Sequence, residues 1–154
     1  MGKTTAANII ADNCGKKLCY LNATTASTAD IKEIISTIGT FKSSNGILLY
    51  LDEIQYFNKK QQQILLSYIE NGDITLIAST TENPFFYVYN AILSRSTVFE
   101  FKTLSRDDIF GVINRGIGII SEEKGKPVNI SDEAIKKIAT SANGDVRKSL
   151  NTLE

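Results

Sequence analysis

The sequence contains no histidine and no tryptophan, and its 154 residues include two cysteines, two prolines and one methionine. The lack of histidine excludes histidine-dependent catalytic triads, histidine general bases and most zinc sites. Any chemistry must therefore use carboxylates, lysine, arginine and hydroxyl groups. Cys14 and Cys19 are too few for a metal centre or a disulfide framework, and we interpret both as ordinary thiols of a reducing cytoplasm.

An excess of charge of one sign and a long apolar run are also missing. Lys and Arg together number 17, as do Asp and Glu, so the charge balance predicts neither a nucleic-acid surface nor a membrane surface. No apolar run approaches the roughly 20 residues of a membrane span, and the first residues lack the pattern of a signal peptide. We expect a cytoplasmic protein without membrane contact, with one domain and the start of a second.

A run of five apolar residues at 47–51 leads directly into the carboxylates Asp52 and Glu53. Such a run is typical of a parallel strand covered on both faces, and open α/β sheets bind ligands at the carboxyl ends of their strands. Asp52 could hold a magnesium ion and Glu53 could polarise an attacking water, the pairing that nucleotide hydrolysis uses. A buried strand with an acidic end is also common without this chemistry, so a partner motif is needed.

The segment Gly2-Lys3-Thr4-Thr5 matches the end of the phosphate-binding loop G-x-x-x-x-G-K-[ST]. In that loop, backbone N–H groups wrap the phosphates, the lysine reaches the terminal ones and the hydroxyl meets magnesium. One residue precedes Gly2, so the first glycine of the loop and the strand before it are missing, and a chance tripeptide at a helix start is the alternative. The apolar helix that follows and stops at Gly15 is the helix that a phosphate loop requires.

Strands and helices alternate up to Thr103. Further strands are predicted at 17–22, 74–78 and 97–101, and helix starts at Ser27 (with Asp30) and Asn58. The polar turn at 79–84 follows a strand next to the acidic one, where it could contact a γ-phosphate or could be a plain turn. Arg95 ends a short helix before the last strand, where the helix dipole alone would also favour a cation.

From Leu104 onward the pattern becomes purely helical. Helix caps and stops are predicted at Ser105 (with Asp108), Ser131, Asn143-Gly144 and Asp145. The glycines at 111, 116 and 118 weaken the first of these helices, each by about 1 kcal/mol relative to Ala. We place a domain boundary near Thr103, which gives an α/β nucleotide-binding core at 1–103 and a helical lid at 104–154.

In this order, the segments resemble AAA+ ATPases of the replication-associated recombination protein A group, related to the Werner-helicase-interacting ATPase. The resemblance extends over nearly the whole chain and is carried by the segments at 22–26, 52–54, 57–62, 70–72 and 80–84. It implies an α/β fold: a P-loop AAA+ core with a parallel sheet, followed by a small all-α lid. The first strand of that sheet is missing from this sequence, which we expect to be truncated at both ends.

The resemblance implies that ATP phosphates are bound by Gly2, Lys3, Thr4 and Thr5. Thr4 and Asp52 would hold Mg²⁺, and Glu53 would be the catalytic base. Gln55 and Tyr56 depart from the His-Arg pair that the group has after these carboxylates.

Four further residues receive catalytic or binding roles from the same resemblance. Thr81 falls near the position called sensor 1, with Asn83 as a rival. The segment Leu-Ser-Arg resembles an arginine-finger motif, in which Arg95 reaches the γ-phosphate bound by a neighbouring subunit. Arg147 falls in a segment that resembles the sensor 2 motif of the lid, where it would contact nucleotide in its own subunit.

For the complete protein, the resemblance implies an ATP-driven homo-oligomer that acts on DNA at stalled replication forks, with single-strand DNA-binding protein as a possible partner. Two alternatives stay open: a non-catalytic remnant or interaction module, and another clamp-loader-like AAA+ protein. In the strand order of the AAA+ core, 5-1-4-3-2, the strands at 74–78 and 97–101 would flank the missing first strand. We therefore expect this chain by itself to bind ATP weakly, hydrolyse it negligibly and self-associate.

Overall fold

The computed structural model describes residues 2–39 and 46–153. The chain divides into two compact units, one formed by Gly2–Phe99 and one that begins at Glu100. All strands of the described residues lie in the first unit, and the second contains three helices.

A three-stranded parallel sheet forms the centre of the first unit. Its strands are β1 (Lys17–Asn22), β2 (Ile47–Asp52) and β3 (Ile74–Ala78), in the order β1-β2-β3. β2 lies in the middle, and residues 47–51 are all buried, as predicted for a parallel strand covered on both faces. The predicted α/β class and these three strands are confirmed.

Helices cover the two faces of the sheet. They are α1 (Lys3–Cys14), α2 (Thr28–Ser36), α3 (Lys59–Glu70), α4 (Pro84–Tyr87) and α5 (Asn90–Leu93). Because strand residues alternate between faces, Leu49 and Leu51 pack in one core with residues of α2, α3 and α5, while Tyr50 points toward α1 and forms a hydrogen bond with Thr4. We call these the apolar face and the hydroxyl face.

The predicted helix starts on the apolar face are confirmed. Ser27 and Asp30 form a capping box at α2, in which the serine hydroxyl and N–H both donate to the Asp30 carboxylate. Asn58 caps α3 by accepting a hydrogen bond from the Gln61 N–H over 2.9 Å. These caps satisfy helix N–H groups that otherwise have no partner.

The strand predicted at 97–101 is wrong. These residues form neither strand nor helix, and Phe99 is 78% exposed. Alternating β-branched and aromatic residues favour a strand, but a strand forms only where a neighbouring backbone can pair with it. In the described part of the chain, β2 is the neighbour that pairs with β3, and residues 97–101 do not pair with either strand. The expected pair of strands beside a gap is therefore not formed.

The second unit is a cluster of three helices, α6 (Arg106–Lys124), α7 (Asp132–Ala142) and α8 (Val146–Leu153). Its core consists of Ile109, Ile113, Ile135, Ala139 and Ala142. The predicted capping residues Ser105 and Ser131 begin α6 and α7, and Asn143 ends α7 in the left-handed conformation. Across the described residues, no helix combines the length and apolar character needed to cross a bilayer.

The three glycines predicted to weaken α6 do not interrupt it, since the helix runs unbroken for 19 residues. Close packing of two helices explains why position 116 is a glycine. A Cβ atom added there would lie 3.0 Å from a methyl carbon of Leu153 and 3.1 Å from one of Leu150. The missing side chain therefore lets α8 approach α6 closely.

Candidate functional site

The start of α1 and the ends of β2 and β3 meet at the carboxyl edge of the sheet. Lys3 Nζ donates a hydrogen bond to the Thr80 carbonyl oxygen over 2.7 Å, and the Thr4 hydroxyl lies 3.2 Å from the Tyr50 hydroxyl. Gly2 precedes the helix with a φ of 89°, a left-handed conformation that glycine adopts at little cost. The N-terminus of α1, which carries the positive end of the helix dipole, therefore lies at the edge where the carboxylates stand.

Three hydroxyl groups contact Asp52 at this edge. The Ser79 hydroxyl donates to Oδ1, the Tyr50 hydroxyl lies 3.3 Å from the same oxygen, and the Tyr20 hydroxyl donates to Oδ2 over 3.4 Å. The Tyr20 and Tyr50 rings lie side by side with centroids 5.5 Å apart. We call Thr4, Tyr20, Tyr50, Asp52 and Ser79 the hydroxyl cluster.

The members of the hydroxyl cluster differ in burial. Tyr50 is 1% exposed and Ser79 is 4% exposed, whereas Tyr20 is 53% exposed. Loss of solvent around the Tyr20 hydroxyl, together with the neighbouring Asp52 carboxylate, raises the pKa of Tyr20 above its usual value. Tyrosine is protonated at neutral pH with or without this shift, so Tyr20 is a hydrogen-bond donor to Asp52.

Glu53 is held in an unusual backbone conformation. Among the described residues, Glu53 and Asn143 are the non-glycine positions with positive φ, and for Glu53 the angle is 57°. Such a conformation costs a non-glycine residue roughly 1–2 kcal/mol. Its carboxylate accepts hydrogen bonds from the Gln55 amide and, over 3.2 Å, from the Thr81 hydroxyl. The carboxylate is therefore fixed beside the end of β3.

The Gln55 amide shows how strongly Glu53 orders its surroundings. Its nitrogen faces Glu53 and Thr81, and in the part of the chain that the structure describes its Oε1 atom is buried without a hydrogen-bond partner. Turning the amide would place its oxygen against the negative carboxylate of Glu53, which can only accept hydrogen bonds. The hydrogen bond from the Gln55 amide nitrogen to Glu53 therefore leaves Gln55 Oε1 without a partner, at a cost in free energy.

The structure places the two rival sensor 1 residues differently. The Thr81 hydroxyl contacts Glu53, while the Asn83 side chain accepts a hydrogen bond from the Phe85 N–H and caps α4. Thr81 therefore belongs to the carboxylate edge, and the Asn83 side-chain oxygen serves the local fold. Which of them senses nucleotide stays a prediction.

Arg95 is not brought to the carboxylate edge. It pairs with Glu70 at 2.5 Å and donates to the Ala91 carbonyl oxygen over 2.9 Å. α3 begins just after the carboxyl end of β2 and ends at Glu70 just before β3, so its 12 residues place Glu70 about 18 Å away, toward the opposite edge. Within its own chain, Arg95 has the helix-end contacts that the alternative interpretation predicted.

The remaining predicted residues, Thr5 and Arg147, are both exposed. Thr5 lies in the first turn of α1. Arg147 lies in α8 of the second unit, where its N–H donates to Asp145 over 2.8 Å. Their contacts with nucleotide stay predictions.

The donor set at this edge fits a magnesium ion. Mg²⁺ prefers oxygen ligands and is usually held by one or two carboxylates together with substrate phosphates and water. Asp52 and the nearby Thr4 hydroxyl are oxygen donors of this kind. Across the described residues, no group of three or more His, Cys, Asp or Glu side chains forms a metal cage, so phosphates and water would have to supply the other ligands.

Sequence reasoning missed Tyr20, Tyr50 and Gln55 as parts of this site, and it placed Ser79 only within the polar turn at 79–84. One signal was present, because Tyr50 stands two residues before Asp52 on the same strand and must share its face. The parallel register also pairs Tyr20 with Tyr50, but that pairing could not be known from the sequence.

Comparison with known families decides the assignment. Residues 1–104 match the family described as ATPase family associated with various cellular activities (AAA). The chain belongs to the AAA family of ATPases. This confirms the ATPase family predicted from the sequence and agrees with a nucleotide-binding core.

The AAA chain is also similar to curated proteins along nearly its whole length. It is 38% identical over 159 residues to replication-associated recombination protein A of Escherichia coli K12, covering 99% of this chain and 35% of that protein. It is 36% identical over 154 residues to ATPase WRNIP1 of Dictyostelium discoideum, covering 99% of this chain and 18% of the relative. The resemblance to this group is confirmed, and the chain spans about a third of the length of the bacterial relative.

Solved structures support the fold of the AAA chain. The protein described as Thermotoga maritima RuvB Holliday junction branch migration motor matches with a TM-score of 0.78 at 22% identity, covering 99% of this chain and 49% of that chain. A point mutant of the same RuvB protein matches with a TM-score of 0.79 at 22% identity, covering 99% and 50%. At this identity, the likeness concerns the fold.

Proposed function

We propose that this chain is the ATP-binding and ATP-hydrolysing AAA+ module of an ATPase that works in DNA replication and recombination. One observation carries the proposal: the fold brings Lys3 and Thr4 to the sheet edge at which β2 ends in Asp52, with Glu53 directly after it. A cation, a hydroxyl and two carboxylates at a helix N-terminus are the groups that phosphoryl transfer uses.

In this proposal, ATP phosphates lie against the start of α1, bound by Gly2, Lys3, Thr4 and Thr5. The Lys3 ammonium exchanges its hydrogen bond with the Thr80 carbonyl for phosphate oxygens. Thr4 and Asp52 hold Mg²⁺, which, when bound, neutralises charge on the phosphates.

Glu53 acts in this proposal as the catalytic base that orients the attacking water. The Thr81 hydroxyl, which already contacts Glu53, supports Thr81 over Asn83 as the sensor of the γ-phosphate. Both present donors bind the same carboxylate oxygen, Oε2, so Oε1 can accept a hydrogen bond from water while these two contacts persist.

The two arginines and the partners complete the proposal. Arg95 acts on nucleotide bound by a neighbouring subunit of a homo-oligomer, which agrees with its distance from the carboxylates of its own chain. Arg147 contacts nucleotide from the helical lid at 104–154. The name replication-associated recombination protein A supports DNA as the substrate of the whole protein. The cytoplasmic location and single-strand DNA-binding protein as a partner are part of the proposal through the resemblance of the sequence.

Calorimetric titration of the full-length protein with magnesium-ATP tests the proposal. Lys3→Ala should weaken binding about 10- to 100-fold, the effect of losing hydrogen bonds from a charged group. Lys16→Ala is the matched control, because Lys16 contacts Thr75 near the opposite end of β3 and should keep wild-type affinity. Equal affinity of wild type and Lys3→Ala would overturn the proposed site.

A further inference from the structure

The hydroxyl cluster contains a directional chain of hydrogen bonds that starts at Thr4. The Tyr50 hydroxyl lies 3.2 Å from Thr4 Oγ1, 3.3 Å from Asp52 Oδ1 and 3.2 Å from Ser79 Oγ. A tyrosine hydroxyl carries one proton and can accept hydrogen bonds on its oxygen. Tyr50 can therefore donate to one of these three neighbours.

The carboxylate determines the direction of the chain. An ionised carboxylate can only accept, and the Ser79 hydroxyl already donates to Oδ1 of Asp52. If Tyr50 donated to Thr4 instead, its lone pairs would face the negative carboxylate at 3.3 Å. The Tyr50 proton must therefore point toward Asp52 or Ser79, and the Tyr50 oxygen is left to accept a proton from Thr4.

We propose that Tyr50 is a positioning residue, whose buried hydroxyl accepts the Thr4 proton and thereby turns the lone pairs of Thr4 toward a divalent cation. This inference rests on the proposed nucleotide site. A hydroxyl that ligates a cation must direct its proton elsewhere, and Tyr50 supplies the acceptor. The tyrosine hydroxyl thus connects the two proposed cation ligands, Thr4 and Asp52.

Tyr50→Phe tests this role with little change in packing, because the buried ring remains and only the oxygen is removed. In the full-length protein, the Mg²⁺ concentration for half-maximal ADP binding should rise about 3- to 10-fold, the effect of losing one hydrogen bond. ADP binding in EDTA should keep its affinity. ADP binding requires no turnover, so the measurement does not depend on ATPase activity.

Two comparisons separate positioning of Thr4 from other effects. With Thr4→Val already present, Tyr50→Phe should change the Mg²⁺ dependence less, since the hydrogen bond to Thr4 is already interrupted and only the contact with Asp52 remains to be lost. Tyr20→Phe is the matched control, because it removes a tyrosine hydroxyl from the same carboxylate without touching Thr4. Its effect should be equal with and without Thr4→Val.

A measurement without nucleotide tests the hydrogen bond between Thr4 and Tyr50. In protein labelled with ¹³C at tyrosine Cζ, Thr4→Val should shift the Tyr50 resonance, which Tyr50→Phe identifies by its disappearance. An unshifted Tyr50 resonance, or a Tyr50→Phe effect that persists fully in Thr4→Val, would overturn the inference. Loss of all Mg²⁺ dependence in the wild type would instead overturn the proposed function and the cation-directed role with it. The resonance would still report whether Thr4 and Tyr50 share a hydrogen bond.

Discussion

The two faces of β2 serve different purposes although they belong to one six-residue strand. On the apolar face, Leu49 and Leu51 are fully buried in a core with α2, α3 and α5. On the hydroxyl face, Tyr50 and Asp52 hydrogen-bond to Thr4, Tyr20 and Ser79. Alternation of side chains along the strand is sufficient to separate a hydrophobic core from a polar site.

The difference predicts which property each face controls. Burial of aliphatic side chains contributes about 25 cal/mol per Å² removed from water, so the apolar face should determine stability. A typical hydrogen bond contributes about 0.5–1.5 kcal/mol net, so the hydroxyl face should contribute less to stability while fixing the carboxylates. Substitutions on the two faces should therefore separate folding from chemistry.

Leu51→Ala should give the largest effect, a loss of about 2–5 kcal/mol in the free energy of unfolding, because Leu51 has no exposed surface. Denaturant unfolding followed by circular dichroism measures it. Leu18→Ala is the control from the hydroxyl face, since Leu18 is 39% exposed and should lose about 1 kcal/mol or less. Equal losses of unfolding free energy in the two variants would contradict the expectation that the apolar face determines stability.

Glu53→Gln should lower ATP turnover of the full-length protein about 10²-fold or more, as expected when a water-orienting base is lost. Nucleotide affinity should change little, and so should the unfolding midpoint, because glutamine keeps the size of the side chain. Glu82→Gln, which removes an exposed carboxylate from the nearby turn, is the control. Undiminished turnover in Glu53→Gln would show that another group serves as the base.

Arg95 lies just after α5, on the apolar side of the sheet. It is an exception to the comparison of the two faces, because we expect it to affect turnover by acting in another subunit. Arg95→Ala should keep ATP affinity and lose turnover in the assembly. Mixing it with Lys3→Ala should partly restore turnover, because each variant supplies what the other lacks.

Glu70→Gln is the matched control for Arg95→Ala. It breaks the same exposed ion pair, which contributes about 0.2–1 kcal/mol to stability, but keeps the guanidinium. Turnover should survive in Glu70→Gln. If both variants lose turnover equally, or no mixture recovers any, Arg95 serves the fold of its own chain.

The elements that the sequence predicted correctly depend on local chemistry. The caps at Ser27, Asn58 and Ser105 use contacts within three residues. The apolar run of β2 is sufficient by itself to predict a buried strand. Residues 97–101 carry an equally clear strand pattern but form no strand, because pairing depends on a distant segment that no local pattern reveals.

The site shows the same division between local and distant contacts. Asp52 and Glu53 could be found because Asp52 is the last residue of β2 and Glu53 follows it directly. The hydroxyl cluster could not, because Thr4 and Ser79 are 46 and 29 residues from Tyr50 in sequence. A tyrosine in a strand core predicts packing, and its hydroxyl becomes informative only when the partners are known.

The smallest predicted effect concerns Asp30, whose carboxylate stabilises a helix start on the apolar face. Hydrogen bonds from the Ser27 hydroxyl and N–H lower the pKa of Asp30 below its usual value. Because the folded pKa is lower than the unfolded value of about 3.9, this contribution to stability is present above that pH and is lost as the pH falls through the folded pKa.

Ser27→Ala should raise the pKa of Asp30 toward its usual value, because the hydroxyl makes the largest contribution to the shift. Carboxyl-detected NMR titration measures the change at the residue itself. Asp108 is an internal control, because Ser105 lowers its pKa in the same way in the helical unit. Ser27→Ala should not change the pKa of Asp108. If the pKa of Asp30 also does not change, the backbone N–H and the dipole of α2 stabilise the ionised carboxylate without the hydroxyl.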